Sequence, residues 1–460
     1  MVSDLRSFLS QLEGDHPGEV VRVQKPVSTE YEITALVREL EAEGEAPVLI
    51  FENVEGSRFP VVVNLNGSLR RISASLGIKE DQLIPEYLRR TGNPIPPVRA
   101  SDAPVQDVVL TGSEADLKRL PQIRHFENDG GAYITAGIVF ARDPVTGDRN
   151  LSCHRLMFLG KDRLAIHMEP GKHLNECRTK AEEQGGALEV AISIGNHPAW
   201  HIGSLYIGAF QRDEAGAIGG LMEAPLELVE GKTVDLEVPA RAEIVLEGEV
   251  VPGALTEEGP FSDFTGYAGE RRDNRQVVRV KAITHRKDAL FQDLTNGDSL
   301  EHLNLPVAGL LANLYGFLKA GHPTVENVRF VGPFMLAVSF RKRNEGQAQN
   351  LILRAFSGDI MLKYVIVVDE DVDVSRPEQV FWAVGARTQG DRDILIIPNT
   401  RGCDVDPSSA PEGIVTKVGI DATAKPNLLA HKESYPPRLP ADIVNKVRSG
   451  DYLGSGVLSP

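Results

Sequence analysis

The chain has 460 residues, more than the about 250 to 300 that one hydrophobic core supports, so two or three domains are expected. With 42% hydrophobic and 25% charged residues, the composition is typical of a globular protein and excludes an intrinsically disordered one. The net charge of -16 argues against a nucleic-acid partner, because phosphate binding requires a clustered basic surface.

Helical and strand patterns alternate in the first part of the chain. An amphipathic N-terminal helix without signal-peptide features is expected, and no run of about 18 apolar residues predicts a membrane span, so we expect a cytoplasmic protein. The strand candidate Val20 to Val23 precedes a helical stretch from Glu30 to Glu43, and PVLIFENV and FPVVVNLNG predict two more strands. The proline-rich segment Asn93 to Pro104 predicts an extended linker. We expect an N-terminal α/β domain over residues 1–110.

Short β-type runs dominate residues 111–303. They are YITAGIVFA, LEVAISIG, HIGSLYIGA, ARAEIVLEGEVV and NRQVVRVKAITH, with Gly, Pro, Asn and Asp between them. This pattern predicts a central antiparallel barrel or sandwich. After it, PVAGLLANLYGFLKAG predicts a helix and LKYVIVVDEDVDV a strand buried on both faces. Residues 304–460 are therefore expected to form a C-terminal α/β domain, which makes the fold class multidomain α+β.

The segment RNLSCHRLMF carries several polar groups on an apolar strand. The two-residue period of a strand places Ser152 and His154 on one face, and Cys153 and Arg155 on the other. Arg155 shares its face with apolar neighbours and is expected to point inward, where a guanidinium needs a carboxylate or phosphate. The three cysteines of the chain are scattered, which predicts neither a disulfide nor a thiolate zinc site.

Two carboxylates flank a Gly-Pro turn in TEEGPFSDFTGY. The turn lets Glu258 and Asp263 converge, although such carboxylates taken alone are more often solvated turn residues. If both approach Arg155, the cation holds one carboxylate ionised, while burial and repulsion raise the pKa of the other. One of the two acids is then able to carry a proton.

A third cluster combines an amide, an imidazole and a carboxylate: Asn150, His173 and Glu214. Such a set suits Mn²⁺ or Mg²⁺ bridging to a phosphate better than a closed zinc site. Spacing alone does not establish the site, since an isolated histidine such as His173 is more often a surface or capping residue.

In this order, the segments resemble the UbiD family of decarboxylases along nearly the whole chain. The matching segments are GAYITAGIVFARDPVTGDRNLSCHR, PGKHL, DEAGAIGGL, VPARAEIVLEGEV, EEGPFSDFTGY, VIVVDEDVDV and GIDATAKP. The resemblance implies a split β-barrel central domain that binds prenylated FMN, a modified flavin made by a separate flavin prenyltransferase. It also implies reversible, non-oxidative decarboxylation of an α,β-unsaturated or (hetero)aromatic carboxylic acid.

The resemblance also assigns residues. The metal ligands are expected to be Asn150, His173 and Glu214, holding Mn²⁺ or Mg²⁺, with a K⁺ site nearby. The catalytic set falls on Arg155, Glu258 and Asp263, where Asp263 replaces the family's more common glutamate and is shorter by one methylene group. Phe264 and His302 are candidates for the substrate pocket, although an exposed helix-start histidine is the more ordinary interpretation of His302. Besides the metal ligands, the expected cofactor-binding residues are Ser152, Cys153, His154, Arg155, Lys172, Ser204 and Lys363.

Alternative interpretations keep the same residues. The enzyme could run as a carboxylase or as one subunit of an aryl carboxylase complex, and a homodimer or homohexamer is expected from the C-terminal domain. A flavin-binding protein without turnover is disfavoured because all three catalytic positions remain ionisable. An ordinary FMN oxidoreductase would be distinguished by the mass and absorption of the extracted cofactor.

Overall fold

A computed structural model describes residues 4–169, 171–205, 213–403, 405–410, 413–425, 439–440, 442–443 and 446–447. The N-terminal region contains α1 (Leu5–Asp15), β1 (Val20–Val23), α2 (Glu32–Ala42), β2 (Val48–Phe51), β3 (Val61–Val63), α3 (Leu69–Ser75) and α4 (Leu83–Thr91). The central region contains β4 (Val98–Arg99), β5 (Val108–Thr111), β6 (Tyr133–Arg142), β7 (Arg149–Phe158), β8 (Arg163–Ile166), α5 (His173–Glu183), β9 (Leu188–Ile194), α6 (Pro198–Ser204), α7 (Glu214–Met222), β10 (Glu227–Glu230), β11 (Glu237–Pro239), β12 (Ile244–Glu258), β13 (Arg272–His285), β14 (Phe291–Gln292) and α8 (Leu300–Asn304). The C-terminal region contains α9 (Val307–Gly321), β15 (Val325–Gly332), β16 (Met335–Phe340), α10 (Gln347–Gly358), β17 (Tyr364–Asp369), α11 (Pro377–Arg387), β18 (Ile394–Arg401) and β19 (Ile414–Asp421).

The N-terminal sheet has the strand order β1-β2-β3-β14. The helices and strands predicted for this region are confirmed, with α2 slightly shorter than the predicted stretch. Leu5, Phe8 and Leu12 of α1 are buried against Ile50 and Val62 of the sheet. The last strand comes from residues 291–292, so the chain returns to this sheet after the central region.

Six antiparallel strands of the central region close into a barrel in the order β12-β9-β6-β7-β8-β13, and β12 pairs with β13 to complete the ring. β5 adds to β13 outside the ring. The predicted central split β-barrel is therefore confirmed. Side chains such as Leu156, Ile192 and Leu246 fill its interior, as expected of a small barrel.

The predicted strand HIGSLYIGA is wrong in its first half, because residues 201–204 belong to helix α6. Pro198 occupies the first turn, where its missing N–H is harmless, and the His197 side chain accepts a hydrogen bond from the backbone of Ala199. Every residue of α6 is buried, so its sequence has no polar face that would distinguish it from a buried strand. Residues 206–209 of the prediction lie outside the described residues.

The C-terminal sheet has the order β15-β16-β17-β19-β18. β17 has parallel partners on both sides and is buried over Val365 to Val368, as predicted. The predicted helix α9 is also confirmed, and it packs with α10 on one face of the sheet while α11 covers the other. No described helix has both the length and the apolar composition needed to cross a bilayer.

Candidate active site

Strand β7 presents its two faces to different surroundings. Leu156 belongs to the barrel interior, whereas Met157 packs with Tyr133 and Phe261 outside it. Alternation along the strand places Arg155 on the Met157 side. The expectation that Arg155 points inward is therefore wrong with respect to the barrel, since its guanidinium lies on the outer face over the Phe261 ring, with 4.5 Å between its carbon and the ring centroid.

Arg155 and Glu258 form a two-point ion pair. Arg155 Nε donates to Glu258 Oε1 at 2.9 Å, and Nη2 donates to Oε2 at 3.1 Å. The Glu258 side chain is 1% exposed and that of Arg155 is 22% exposed. The sequence prediction of an arginine–carboxylate contact is thus confirmed for this pair, whose geometry keeps Glu258 in one orientation.

Two further side chains surround Glu258 that the sequence analysis missed. The Tyr133 hydroxyl donates to Glu258 Oε1 at 3.1 Å and accepts from Gly259 N at 3.2 Å. Burial, followed by the charge of Glu258, raises the pKa of Tyr133 above its ordinary value, so the phenol remains a donor. Arg275 Nε lies 3.9 Å from Glu258 Oε2, which gives this carboxylate a second cationic neighbour.

Arg275 is buried, and its Nε has no hydrogen-bond acceptor among the described residues. Burial, followed by repulsion from Arg272, lowers the pKa of Arg275. An unsatisfied buried donor costs about 1 to 3 kcal/mol, so a ligand with acceptor atoms at this place would be stabilised. The strand period in NRQVVRV was the available signal, because it separates Arg275 from the barrel-facing Val278.

The loop after Glu258 carries Asp263. Asp263 N donates to Tyr267 O at 3.0 Å and Gly266 N donates to Asp263 O at 3.0 Å, so the backbone forms a tight turn. Asp263 Oδ1 accepts only from Phe264 N, at 2.8 Å, among the described residues. The expectation that Arg155 also holds Asp263 is not met, since Glu258 is the one described carboxylate that forms an ion pair with Arg155.

Two rings lie around Phe264, the residue after Asp263. The Phe264 ring centroid is 6.1 Å from that of His302 and 5.4 Å from that of Phe334, which comes from the turn between β15 and β16. His302 is a helix-start residue, but it is half-buried and its Nδ1 lies 2.9 Å from Gly297 O. Burial lowers the pKa of His302, while the Asp263 carboxylate opposes that shift. The two expected pocket residues, Phe264 and His302, are therefore neighbours. The sequence analysis missed the third ring, Phe334, which comes from the C-terminal region.

The expected metal ligands lie on three separate elements. His173 begins α5 and Glu214 begins α7, and His173 Nδ1 is 3.7 Å from Glu214 Oε1. Glu214 Oε2 accepts from Leu151 N at 3.2 Å, next in the chain to Asn150. The fold thus brings His173, Glu214 and the backbone beside Asn150 to one place, next to the start of strand β7.

The chemistry of this set fits a divalent cation. Glu214 is buried and forms no ion pair with Lys or Arg among the described residues, and burial raises its pKa to about 7. His173 Nδ1 is 3.7 Å from it, beyond the distance of a direct hydrogen bond, and burial lowers the pKa of His173, which favours the neutral ring. A neutral imidazole, an amide oxygen and a carboxylate are ligands for Mn²⁺ or Mg²⁺.

The next residues of β7 form a short hydrogen-bonded chain. Asn150 Nδ2 donates to Ser152 Oγ at 3.2 Å, Ser152 Oγ is 2.9 Å from His154 Nε2, and His154 Nδ1 is 2.9 Å from His167 O. Burial lowers the pKa of His154 to about 4 and raises that of Cys153 to about 12. His154 is therefore a neutral hydrogen-bonding group at physiological pH, and Cys153 is an unreactive thiol.

The other three expected cofactor residues, Lys172, Ser204 and Lys363, lie outside this hydrogen-bonded chain. Lys172 is exposed and precedes α5, and the Ser204 hydroxyl donates to His201 O at 2.9 Å inside α6. The Lys363 ammonium donates to Asp406 at 2.8 Å and also to Ser408. The backbone N–H of Lys363 donates to Phe334 O at 2.9 Å, next to the expected substrate pocket. Among the described residues, the structure forms no hydrogen bond between Ser204 or Lys363 and the metal-ligand set.

Three sequence models of protein domains match this chain. The 3-octaprenyl-4-hydroxybenzoate carboxy-lyase N-terminal domain matches residues 12–91, the Rift-related domain of the same enzymes residues 97–299, and their C-terminal domain residues 308–422.

Known proteins match over nearly the full length. The chain is 39% identical to the anhydromevalonate phosphate decarboxylase of Methanothermobacter thermautotrophicus over 91% of this chain and 96% of that protein. It is 33% identical to a phenolic acid decarboxylase of a Streptomyces species over 91% of this chain and 92% of that protein. The solved UbiD-class enzyme HmfF from Pelotomaculum thermopropionicum, in complex with FMN, is 37% identical with a TM-score of 0.90, covering 98% of this chain and 100% of that one. An evolved dimeric form of HmfF in complex with prenylated FMN is 36% identical with a TM-score of 0.86 over the same shares.

Proposed function

Because the chain belongs to the UbiD family of carboxy-lyases and is by that kinship a decarboxylase, we propose that it acts on an α,β-unsaturated or (hetero)aromatic carboxylic acid. We propose further that the non-oxidative, reversible reaction uses prenylated FMN and a divalent metal, Mn²⁺ or Mg²⁺, with a K⁺ site nearby. One observation carries this proposal: Glu258 is buried and ion-paired with Arg155, and it lies five residues before Asp263, whose carboxylate forms no ion pair among the described residues.

Asn150, His173 and Glu214 would hold the metal, and Ser152 and Arg275 offer hydrogen-bonding groups for the cofactor. Helices α5 and α7 begin at two of the metal ligands, so the positive ends of both helix dipoles lie beside this cluster and favour a phosphate. When bound, the modified flavin would supply the electron sink that no protein side chain provides.

Arg155 and Glu258 would keep the charge of the site constant. Glu258 is neutralised by the two-point contact with Arg155, and the approach of Arg275 adds a positive charge suited to an incoming substrate carboxylate. Tyr133 holds the same glutamate from its other side. These contacts fix the pair, so neither group needs to reorient when carbon dioxide leaves.

Asp263, in its protonated form, would deliver the proton that replaces the lost carboxyl group, and solvent would reprotonate it after each turnover. Its carboxylate is bonded only to the neighbouring backbone among the described residues, so it is free to approach a substrate carbon. Phe264, His302 and Phe334 would form the wall of the substrate pocket, with His302 as the polar group. A pocket with two phenylalanine rings favours a planar, unsaturated substrate.

A panel of acids tests the proposal. The full chain, loaded with cofactor by co-expression with a flavin prenyltransferase, would be incubated with cinnamic, hydroxybenzoic, furoic, pyrrole-carboxylic and polycyclic aromatic acids, and with anhydromevalonate phosphate, the acid in the name of one relative. Release of carbon dioxide from at least one acid is expected, together with proton–deuteron exchange at the same carbon in D₂O. A loaded enzyme that turns over no acid, and carboxylates none of the products in bicarbonate, would contradict the proposal.

Assembly and location complete the proposal. We propose a cytoplasmic protein that forms a homodimer or homohexamer. The exposed Phe381 and Trp382 on α11 and Ile396 on the edge strand β18 support the assembly. Light scattering after size exclusion would measure the oligomer number, and Trp382→Glu should weaken the assembly. If the wild-type chain has the mass of a monomer at micromolar concentration, the proposed assembly is refuted, whereas the proposed reaction is not affected.

A further inference from the structure

A buried carboxylate outside the proposed catalytic set holds the loop that carries Asp263. Asp129, in the segment before β6, is 1% exposed. Its Oδ1 accepts from both Ser262 N and Ser262 Oγ, each at 2.8 Å. Its Oδ2 accepts from Phe126 N at 3.2 Å and from Asn296 Nδ2 at 3.4 Å. Four donors converge on one carboxylate, and two of them belong to the residue directly before Asp263.

The carbonyl side of Ser262 is held from another direction. Asn296 Nδ2 and Gly297 N both donate to Ser262 O at 3.2 Å. The Asn296 amide thus donates to both Asp129 and Ser262. These two hydrogen bonds link the loop to the segment that leads into α8. Ser262 is fixed by its N–H, its hydroxyl and its carbonyl group.

A close backbone contact supports the same loop. Gly130 N donates to Pro260 O at 2.7 Å, and a Cβ atom at residue 130 would lie 2.1 Å from Gly259 O. Only glycine allows this approach. The segment 129–130 therefore contacts the loop at two successive points, Pro260 and Ser262.

We propose that Asp129 is a positioning residue that sets the distance from the Asp263 carboxylate to the substrate, an inference that rests on the proposed function. The Asp263 side chain has no anchor of its own beyond Phe264 N among the described residues, so its place is set by the backbone that Asp129 holds. A misplacement of about 1 Å can cost about 100-fold in rate.

The charge and acceptor count of Asp129 are both required. In Asp129→Asn one oxygen becomes an NH₂ group, which cannot accept from the two donors it faces. Depending on its rotamer, the amide loses either the Ser262 pair or the Phe126 and Asn296 pair, and both losses loosen the loop, because Asn296 also donates to Ser262 O. Ser262→Ala removes only the hydroxyl bond and keeps the N–H bond, so it is the milder variant.

Hydrogen–deuterium exchange on the full-length, cofactor-loaded protein tests the loop directly. Among the described residues, the Ser262 N–H has Asp129 as its acceptor. In Asp129→Asn, exchange in residues 259–267 should rise by about tenfold or more, and Ser262→Ala should fall between this variant and wild type. Unchanged exchange in this segment for Asp129→Asn would overturn the inference, as would a larger effect in the alanine variant.

A second buried carboxylate provides the matched control. Glu247 is 0% exposed and accepts from Lys232 N and Thr233 N, but it forms no hydrogen bond or ion pair with the Asp263 loop among the described residues. Glu247→Gln should raise exchange near residues 232–233 and leave turnover unchanged. Loss of turnover in this control equal to that in Asp129→Asn would assign both effects to general loosening and overturn the inference.

Kinetics separate positioning from structure. In Asp129→Asn, kcat for the best acid of the panel should fall by about 10- to 100-fold with KM and cofactor content unchanged. A rise in KM with unchanged kcat would overturn the inference.

Two other outcomes still leave the inference testable. If the wild-type enzyme converts no acid, the proposed function fails, but the exchange result still decides whether Asp129 holds the loop. If Asp129→Asn does not fold, Ser262→Ala carries both measurements, and normal exchange and kcat in it would overturn the inference.

Discussion

The Arg155–Glu258 pair offers a measurement of how much a charged contact contributes to stability on the outer face of this barrel. Glu258→Gln keeps the size of the side chain and one oxygen acceptor but removes the charge. Arg155→Met keeps an apolar side chain over the Phe261 ring, so loss of packing is small. Together with the double variant, these two substitutions form a thermodynamic cycle.

The size of the effect follows from the burial of the pair. Breaking a fully buried ion pair by removing one partner costs about 3 to 5 kcal/mol. Glu258 meets this condition, but the 22% exposure of the Arg155 side chain lets water screen part of its charge. Arg275 also remains as a cation 3.9 Å from the carboxylate. We therefore expect Glu258→Gln to lower the free energy of unfolding by about 3 kcal/mol, with a coupling energy of about 2 kcal/mol between the two residues.

Tryptophan fluorescence during urea unfolding can report on the barrel. The chain contains two tryptophans, of which Trp200 is buried in α6 with its ring centroid 6.1 Å from that of Phe140, whereas Trp382 is 53% exposed on α11. In a Trp382→Phe background, the remaining signal reports the barrel and α6. The four proteins of the cycle would be unfolded in this background, and their midpoints and slopes compared.

A surface ion pair provides the reference for this measurement. Arg22 and Glu13 are 2.8 Å apart with side chains that are 49% and 38% exposed, so the same cycle there should give below about 1 kcal/mol. A coupling energy for Arg155–Glu258 as small as that reference would refute the reasoning. A coupling of the expected size that disappears in Tyr133→Phe would instead show that the phenol, rather than geometry alone, holds Glu258.

Three further predictions concern single groups. Asp263→Asn should lose about 100- to 10,000-fold in turnover while retaining the absorbance of the bound cofactor, and exposed Asp273→Asn, its control, should retain both properties. Glu214→Gln should weaken Mn²⁺ binding by at least about tenfold in calorimetry, whereas exposed Glu183→Gln should not; equal affinities would remove Glu214 from the metal site. Burial raises the pKa of Glu301 from 4.5 to about 7, so the folded state binds the proton more tightly than the unfolded state and wild type loses stability as pH rises from 4.5 to 7. Relative to Glu301→Gln, that loss should reach on the order of 3 kcal/mol in urea unfolding between pH 4 and pH 8, and a pH-independent difference would contradict it.

Local sequence pattern determined the regular elements of this chain. The short β-type runs YITAGIVFA and NRQVVRVKAITH, bounded by Gly, Pro, Asn and Asp, predicted strands of a barrel or sandwich, and the apolar run in LKYVIVVDEDVDV predicted a strand buried on both faces. The order of its motifs identified the family and thereby the central split β-barrel. Helix α6 escaped prediction because complete burial removes the polar face on which periodicity depends.

The tertiary structure alone decided which groups meet. Alternation separated Arg155 from His154, but only the path of the chain after β12 shows that Glu258 and Phe261 cover the outer face and that Asp263 does not reach the guanidinium. Tyr133, Asp129 and Arg275 lie far from Glu258 and Asp263 in the sequence, or on a different strand, and each contacts this region through a pairing of distant segments. Such contacts depend on strand register and loop closure, which arise from the summed packing of the whole barrel, and so no local stretch of sequence specifies them.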